Sequence, residues 1–403
     1  VACAGGSGST PDSTVSVTNN AAPPTPTPPP ISVNSAHILI SPGSFGVCSN
    51  PNTPCVSVTV CEPGNLNNCD TINNILVDTG SYGLRVFSSL LVNTGKYLPA
   101  MEYNGMQVAQ CVLYADGTTN WGAIQYATVG LNGTYTIEPI PIQVLDASFP
   151  GMTINCPFAD ATPADLGVNG IVGVGPWQTD EGVSNYYACN GSSCPTPVTP
   201  TTYVTNPVSQ FPSGNNNGVT LVFGSVPGTG VVNADGYIVF GVGSANSNTP
   251  NTNSVNVFQI QIGISNIPIN VNTTFGGATY SSFLDTGSNF LYFANSFLAT
   301  CTDNIDFFCP SSDTPEVARM TGTDGVNPSS ANISFTIGNA DSLAATPNTA
   351  FSNIGGIFTG IGGIDWGLPF YLGRTVYMVF AGETATLSDG TVLPASTNGY
   401  WIY

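Results

Sequence analysis

One five-residue motif occurs twice in the chain, and no other feature limits the fold as strongly. Val77–Ser81 reads Val-Asp-Thr-Gly-Ser, and Leu284–Ser288 reads Leu-Asp-Thr-Gly-Ser. Each Asp follows a short apolar run, which predicts a buried strand, and precedes a Gly, which permits a sharp turn. Each motif therefore presents one carboxylate on a tight loop at a strand end. Two copies predict two similar lobes whose carboxylates, Asp78 and Asp285, can meet at a catalytic centre.

The composition favours an extracellular all-β protein. The 403 residues suffice for two lobes with separate cores, and turn-forming residues are abundant, with 46 Gly and 32 Pro. Asp and Glu number 23 against 4 Lys and Arg, which gives a formal charge of −19. A surface this acidic repels nucleic acid and anionic membranes, so neither is expected as a partner. Because few cations exist even after complete protonation, we also expect the fold to tolerate acidic solution.

Eleven cysteines indicate an oxidising compartment outside the cytoplasm. Metal binding is the alternative, but the chain has no Cys-x-x-Cys pair and its one His is not beside the cysteines. Disulfides are therefore predicted, and neither a metal nor a cofactor is expected. Spacing does not determine connectivity, but proximity in the sequence suggests these pairs: Cys48–Cys55, Cys61–Cys69, Cys189–Cys194, Cys301–Cys309 and the longer Cys111–Cys156.

The start of the chain is too rich in Pro, Ser, Thr and Gly to form a core, so residues 1–35 are predicted to be a disordered tether. Cys3 follows small residues at the beginning of this tether, as in the processing site of a bacterial lipoprotein whose signal peptide has been removed. A free cysteine in a disordered tail is the alternative. We expect an extracytoplasmic protein, either secreted or attached to the bacterial cell envelope through a lipidated Cys3. No later apolar run has the length that spans a membrane.

The remainder of the chain is predicted to form two β-rich lobes. Short apolar runs alternate with turn residues, and helical periodicity is weak outside two short stretches near 87–92 and 294–300. We assign residues 36–188 to an N-terminal lobe and residues 218–403 to a C-terminal lobe. The polar, Pro- and Asn-rich residues 189–217 between them are predicted to be a surface excursion.

Three further segments, together with the two pentads, resemble the pepsin-like aspartic peptidases. That family has two β lobes, each of which contributes one such Asp loop to a cleft between them. It closes each loop with an apolar-apolar-Gly segment, for which Gly170–Gly175 (containing Gly173) and Phe370–Arg374 (containing Gly373) are the matches. Tyr114–Gly122 is similar to the β-hairpin that covers the family's cleft as a flap. The resemblance covers nearly the whole chain after the tether.

This resemblance implies an all-β, bilobal, double β-barrel fold with few short helices, and an aspartic endopeptidase that acts at acidic pH. Asp78 and Asp285 would activate a water molecule that attacks a peptide carbonyl, without a covalent intermediate. The implied partner is a polypeptide substrate, and a chain that supplies both carboxylates is expected to be a monomer. The remaining implied residues support the carboxylates or cover the substrate: Thr79 and Thr286 as cross-braces, Gly80 and Gly287 for close backbone approach, Ser81 and Ser288 as hydrogen-bond donors, and Tyr114, Asp116 and Gly117 in the flap.

Arg85 departs from the family pattern, which usually has a Trp that bonds to the flap Tyr. Arg85 is expected to contact Tyr114 or a carboxylate of the cleft, or else to lie at the surface. The main alternative function is therefore a catalytically weak or inactive pepsin-like protein that binds or inhibits at the cell surface. A glycosidase also uses two carboxyl groups, but they occupy dissimilar environments, unlike two identical loops. One His and no Gly-x-Ser-x-Gly motif argue against zinc-dependent and serine-triad chemistry.

Overall fold

Strands dominate the part of the chain that the structure describes. The computed structural model describes residues 34–43, 47–115, 117–150, 156, 158–261, 271–294, 297–322, 329–358 and 363–403. The strands of these residues are β1 (Ser35–Ile40), β2 (Cys55–Glu62), β3 (Asn65–Asp78), β4 (Tyr82–Phe87), β5 (Glu102–Tyr103), β6 (Met106–Leu113), β7 (Thr119–Leu131), β8 (Thr134–Tyr135), β9 (Ile140–Leu145), β10 (Gly170–Val174), β11 (Asn185–Cys189), β12 (Thr196–Val198), β13 (Gly218–Phe223), β14 (Ala234–Phe240), β15 (Val257–Gln259), β16 (Val271–Phe275), β17 (Ala278–Leu284), β18 (Leu291–Tyr292), β19 (Thr314–Thr321), β20 (Ser330–Ile337), β21 (Gly355–Gly356), β22 (Gly363–Trp366), β23 (Thr375–Val379), β24 (Ala385–Thr386), β25 (Val392–Leu393) and β26 (Tyr400–Ile402). The helices are α1 (Pro163–Leu166), α2 (Ala340–Ala344), α3 (Leu368–Tyr371) and the 3-10 turns Ser88–Leu90, Gly95–Tyr97, Pro207–Gln210 and Asn246–Asn248. The fold is all-β with few short helices, as predicted.

The described strands form two barrel-like sheets and one small pair. A 17-stranded sheet contains β1 to β15 together with β23 and β26, and a 7-stranded sheet has the order β20-β19-β16-β17-β22-β18-β21. The large sheet combines strands from both halves of the chain, because β1 pairs antiparallel with β14 and β13 with β23. The first Asp-Thr-Gly-Ser loop leaves the large sheet and the second leaves the 7-stranded sheet, in agreement with a double-barrel architecture.

The same three-strand arrangement supports each Asp-Thr-Gly-Ser loop. β10 lies between β3, to which it is parallel, and β4, to which it is antiparallel, and its Gly173 lies opposite Asp78. β22 lies likewise between β17 and β18, and its Trp366 lies opposite Leu284, the residue before Asp285. The two loops therefore leave equivalent strand ends, each held on both sides by a neighbouring strand.

Burial follows the residue pattern of the strands. In β1, His37 and Leu39 are exposed while Ile38 and Ile40 are fully buried, which is the period of two of a half-buried strand. β4, β9, β10 and β13 are buried at every position, as in strands covered on both faces. Each large apolar side chain in this core contributes roughly 1.5–3 kcal/mol relative to an exposed one. The core therefore fixes the strands that carry the two loops.

Five disulfides join the ten cysteines that the structure describes, and their pairing confirms the predicted set: Cys48–Cys55, Cys61–Cys69, Cys111–Cys156, Cys189–Cys194 and Cys301–Cys309. A disulfide set of this size indicates an extracytoplasmic protein. Cys3 and nearly all of the predicted tether lie outside the described residues. Among the described residues, none of the helices has the length and apolar character needed to cross a membrane.

Residues 189–217 are not a surface excursion throughout. Val204, Val208 and Phe211 in this segment have no solvent exposure. They pack into the hydrophobic clusters beneath, because the few apolar residues of a polar segment are the ones that can anchor it. The polar composition therefore predicts the exposed part of the segment, but it does not predict the buried residues that anchor the segment.

The two predicted helical stretches near 87–92 and 294–300 contain almost no helix. Ser88–Leu90 forms a single 3-10 turn in the first stretch. The described residues 297–300 of the second stretch contain no helix, and its residues 295 and 296 lie outside the description. Both stretches are too short for local propensity to offset the unfavourable nucleation of an α-helix.

Candidate active site

The two loops bring Asp78 and Asp285 together. A Cβ atom placed on Gly80 would lie 2.7 Å from Cγ of Asp285, and one placed on Gly287 would lie 2.6 Å from Oδ1 of Asp78. Each carboxylate therefore occupies the space that only a glycine in the opposite loop leaves free. The glycine N–H groups also hold the carboxylates, because Gly80 donates to Asp78 Oδ1 at 2.7 Å and Gly287 donates to Asp285 Oδ1 at 2.8 Å.

Two threonines brace the loops against each other. The backbone N–H of Thr79 donates to Oγ1 of Thr286 at 3.1 Å, and the backbone N–H of Thr286 donates to Oγ1 of Thr79 at 3.0 Å. Each hydroxyl in turn donates across to the other strand, Thr79 to the carbonyl of Leu284 and Thr286 to that of Val77. Both threonines are fully buried. The four reciprocal hydrogen bonds fix the relative position of the two carboxylates.

Replacing Thr79 or Thr286 with Val is expected to destabilise the protein by about 1–3 kcal/mol, because each change leaves a buried N–H and a buried carbonyl without the hydroxyl. Urea-induced unfolding measures the loss. Thr71→Val is the matched control, since the Thr71 hydroxyl contacts Thr59 at 3.2 Å on an exposed face of β3, and it should change stability by less than about 0.5 kcal/mol. Equal effects of buried and exposed replacements would contradict the bracing role.

Two serines bind the outer carboxylate oxygens, and one of them also reaches a third acid. The Ser81 hydroxyl donates to Asp78 Oδ2. Oγ of Ser288 lies 3.0 Å from Asp285 Oδ2 and 2.5 Å from Oδ2 of Asp365 on β22. The two halves of the site are therefore similar in their hydrogen bonds but not identical.

The charges of the site favour a shared proton. Burial raises the pKa of Asp285 well above its usual range, and the negative charges of Asp78 and Asp365 act in the same direction. Burial likewise raises the pKa of Asp365 and that of Tyr371, whose hydroxyl lies 3.1 Å from the Thr79 hydroxyl. Two carboxylates in contact cannot both ionise without a large repulsion, so the pair retains one proton over an intermediate pH range.

The stability of the protein is expected to fall as the pH rises from about 4 toward neutrality. Asp285 and Asp365 have raised pKa values in the folded state, so they bind protons more tightly there than in the unfolded chain. Their contribution is complete below the unfolded pKa of about 4 and is lost as the pH rises through the folded pKa values. Thermal unfolding followed by circular dichroism should give a higher Tm at about pH 4.5 than at about pH 7.5. A Tm that rises over this interval would contradict the raised pKa values.

Gly173 takes the predicted place beneath the first loop, but Gly373 does not take it beneath the second. Gly367 does, because a Cβ atom there would lie 2.6 Å from the carbonyl oxygen of Ser288, as one on Gly173 would lie 2.6 Å from the carbonyl carbon of Ser81. Gly373 has φ +79° just after α3, where a left-handed glycine commonly ends a helix. Gly373 therefore matches the predicted apolar-apolar-Gly segment only in sequence. Gly367 lies beneath the second loop because it follows β22, the strand that pairs with β17.

The predicted flap is a hairpin of β6 and β7 with Tyr114 at the start of its turn. The Tyr114 hydroxyl donates to Asn120 at 2.9 Å on the same hairpin, and its ring packs near Ile171. Gly117 is exposed in the turn with φ +88°, which a glycine adopts without strain. Asp116 lies outside the described residues. In this conformation the hydroxyl of Tyr114 thus supports the hairpin itself.

Arg85 lies neither in the cleft nor at the surface. Its guanidinium donates to Asp180 at 3.0 Å, both side chains are only 1% exposed, and it also donates to the carbonyl of Tyr82 at 2.6 Å. The Gln110 amide and the Tyr186 hydroxyl each donate to the same carboxylate at 2.5 Å. The expected contact with a cleft carboxylate is therefore replaced by a buried ion pair beneath the first loop.

Three residues of the site do not stand out in the sequence. Asp365 lies within β22, and Gly367 directly follows that strand, so that the two flank Trp366 in a weaker form of the apolar-apolar-Gly pattern. That similarity is the signal that could have found them. Tyr371 reaches Thr79 only because α3 packs against the first loop, and no local pattern predicts a contact over such a separation.

One group of three potential metal ligands occurs among the described residues: Cys301, Cys309 and Asp341. Its two cysteines form a disulfide, so they offer no thiolate to a metal ion. The candidate active site itself supplies carboxyl and hydroxyl groups.

A cavity of about 390 Å³ lies elsewhere in the C-terminal half of the chain. Its lining includes Trp366, Phe370 and Arg374 but neither Asp78 nor Asp285. The carboxylate pair and not this cavity is the candidate active site, because reactive groups and not volume define a hydrolytic site.

Comparison with known proteins gives a family but no activity. The model of one family, described as a protein of unknown function (DUF3443), matches residues 30–394. A search of curated proteins gives no match. Since the match extends over most of the sequence and includes both Asp-Thr-Gly-Ser loops, the chain belongs to the DUF3443 family.

Proposed function

We propose that this protein is an aspartic endopeptidase that hydrolyses peptide bonds at acidic pH. The observation that carries the proposal is the reciprocal bracing of two identical loops, which holds the carboxylates of Asp78 and Asp285 in contact. Two carboxylates that share one proton supply a general base and a general acid at one point. The substrate is a polypeptide segment that can reach this point in an extended form.

Hydrolysis requires a water molecule between the carboxylates. The ionised member of the pair accepts a proton from this water, whose oxygen attacks the peptide carbonyl carbon. The protonated member donates to the carbonyl oxygen, so a tetrahedral gem-diol forms without a covalent bond to the protein. The member that took the proton from water then donates it to the amide nitrogen. One hydroxyl of the gem-diol gives its proton to the other member as the C–N bond breaks, so a carboxylic acid and an amine leave and the pair again holds one proton.

The hydrogen bonds of the site support this cycle. The N–H groups of Gly80 and Gly287 and the hydroxyls of Ser81 and Ser288 hold the carboxylates by bonds that persist as charge moves. Fixed donors of this kind stabilise developing charge without reorganisation during the reaction. An acidic optimum follows, because the pair is active only while it retains one proton.

We further propose that the protein works at the bacterial cell envelope, held there by a lipid on Cys3. The five disulfides support a place outside the cytoplasm. The Pro-rich residues between Cys3 and β1 would act as an extended spacer between the membrane surface and the lobes. Mass spectrometry of Cys3 in protein isolated from a membrane fraction tests this: a thioether-linked lipid is expected, and an unmodified thiol contradicts it.

Cleavage of an unfolded protein substrate tests the activity. The purified protein is incubated with the substrate from about pH 3 to 7, with and without a statine-type analogue of the tetrahedral intermediate. We expect fragments at acidic pH whose formation the analogue suppresses. If the folded protein produces no fragments at any pH, the endopeptidase is contradicted. Retained binding of the analogue in that case would favour a pepsin-like binding protein without turnover.

A further inference from the structure

The candidate active site contains a third carboxyl group that breaks the symmetry of its two halves. Asp365 lies on β22 opposite Phe283, at the position where Ile171 lies on β10 opposite Leu76. One lobe thus has an apolar residue where the other has an acid. Asp365 is only 5% exposed, and its Oδ1 has no hydrogen-bond partner among the described residues. Burying a carboxyl group with one oxygen that lacks a hydrogen-bond partner is unfavourable. An apolar residue would fill the same position without this cost.

One hydroxyl proton serves two carboxyl groups at this point. Oγ of Ser288 lies within hydrogen-bonding distance of both Asp285 and Asp365, at 3.0 Å and 2.5 Å. A serine hydroxyl can donate to only one of them. Both contacts are hydrogen bonds if Asp365 is protonated, donates to Ser288, and lets Ser288 donate to Asp285. The arrangement is then a directed chain of two hydrogen bonds that ends on the pair.

The surroundings of Asp365 favour this neutral form. The ion pairs of the described residues, His37–Asp235 and Arg85–Asp180, include none of the three carboxyl groups. Burial and the charge of Asp78 both raise the pKa of Asp365. The other titratable side chains around the three groups are tyrosines: Tyr82 near Asp78 and Asp285, Tyr292 opposite Asp365 on β18, and Tyr371 on α3.

We propose that Asp365 is a positioning residue that preserves the proton shared by Asp78 and Asp285 as the solution becomes less acidic. The inference rests on the proposed function. After the pair of Asp78 and Asp285 has lost one proton, one proton remains on the pair and one on Asp365. The next proton to leave is the one whose loss puts the negative charges farthest apart. Asp365 is separated from Asp285 by a hydroxyl, whereas Asp78 and Asp285 are in contact. Asp365 therefore ionises first, and its charge then opposes loss of the proton that catalysis needs.

Carboxyl ¹³C NMR of the full chain labelled at Asp Cγ tests this without a substrate. We expect the signals of Asp285 and Asp365 to titrate well above the usual range in the unchanged protein. Asp365→Asn should remove one of these signals and move the titration of Asp285 to lower pH, while the exposed control Asp303→Asn leaves both unchanged. If the titration of Asp285 does not move, the inference is overturned.

A second variant keeps the test decisive if Asp365→Asn does not fold. Ser288→Ala removes the bridging hydroxyl but retains all three acids. Once Asp365 is ionised, its carboxylate accepts a hydrogen bond from this hydroxyl, so the loss of the hydroxyl should move the titration of Asp365 to higher pH. An unchanged Asp365 titration would show that the hydroxyl does not join the two groups and would overturn the inference.

Peptide cleavage separates this inference from the proposed function. In Asp365→Asn the ratio of the rate at about pH 6 to the rate at about pH 4 should fall roughly tenfold, and in Asp303→Asn it should stay constant. If the NMR titrations shift as expected but no cleavage occurs, the proposed endopeptidase activity is contradicted while the inferred role of Asp365 stands. Cleavage with unchanged NMR titrations and an unchanged ratio would retain the endopeptidase and overturn the role of Asp365.

Discussion

Replacing either Asp78 or Asp285 with Asn is expected to abolish peptide-bond cleavage, with a loss of roughly 10³-fold or more. Asn has the shape of Asp, and its Oδ1 still accepts the hydrogen bond that Gly80 or Gly287 donates. It cannot, however, accept a proton from water or donate an acidic proton to the carbonyl oxygen. The rate of cleavage of an unfolded protein at acidic pH measures the effect.

Asp285→Asn is also expected to stabilise the protein near pH 7. Burial and two negative neighbours raise the pKa of Asp285, so its ionised form opposes folding when the solution is neutral. Asp285→Asn removes that charge and should increase the free energy of unfolding by roughly 1–2 kcal/mol at pH 7, with a smaller gain near pH 4. Lost activity with increased stability is the combination that an active-site charge produces and a structural residue does not.

The control for both effects is Asp303→Asn. Asp303 is exposed in the loop closed by the Cys301–Cys309 disulfide. Its charge is therefore solvated and takes no part in the pair of Asp78 and Asp285. This variant should leave cleavage and stability within experimental error. Undiminished cleavage by Asp78→Asn would show that another group performs the chemistry. A lower stability of Asp285→Asn at pH 7 would show that the two carboxylates do not repel each other in the folded state.

The parts of this fold that the sequence predicted depend on local signals. An apolar run followed by Asp-Thr-Gly-Ser specifies a strand, a turn and a carboxylate within a few residues, so both loops could be placed. Four of the five disulfides close short loops, and the fifth joins the two cysteines that remain when Cys3 is assigned to the tether. The all-β class follows from the frequency of turn residues between apolar runs. Each of these inferences needs only neighbours in the chain.

The parts that could not be predicted depend on contacts between distant segments. Gly367 and Gly373 both follow apolar residues, and only the parallel pairing of β22 with β17 distinguishes them. The role of Asp365 depends on Ser288, which approaches it because β22 ends beside the second loop. The burial of Arg85 depends on Asp180, which has no local relation to it. Long-range register therefore limits what residue patterns can establish about such a site.

Breaking the buried pair of Arg85 and Asp180 is expected to produce the largest loss of stability. Arg85→Met leaves the Asp180 carboxylate without its cation, and Asp180→Leu leaves an uncompensated guanidinium, each at a position that is 1% exposed. The removal of one partner of a buried pair typically costs about 3–5 kcal/mol, whereas removal of both costs less than the sum. Urea-induced unfolding of the two single variants and the double variant gives the coupling energy directly.

The exposed pair of His37 and Asp235 is the matched control for this prediction. These side chains are 41% and 62% exposed at a distance of 2.7 Å, so Asp235→Asn should cost less than about 1 kcal/mol. Arg85→Trp, which introduces the residue usual at the matching position of pepsin-like peptidases, should destabilise as strongly as Arg85→Met. Its indole cannot neutralise Asp180, which Gln110 and Tyr186 also hold in place. A stable Arg85→Trp variant would show that the pair of Arg85 and Asp180 does not contribute to stability.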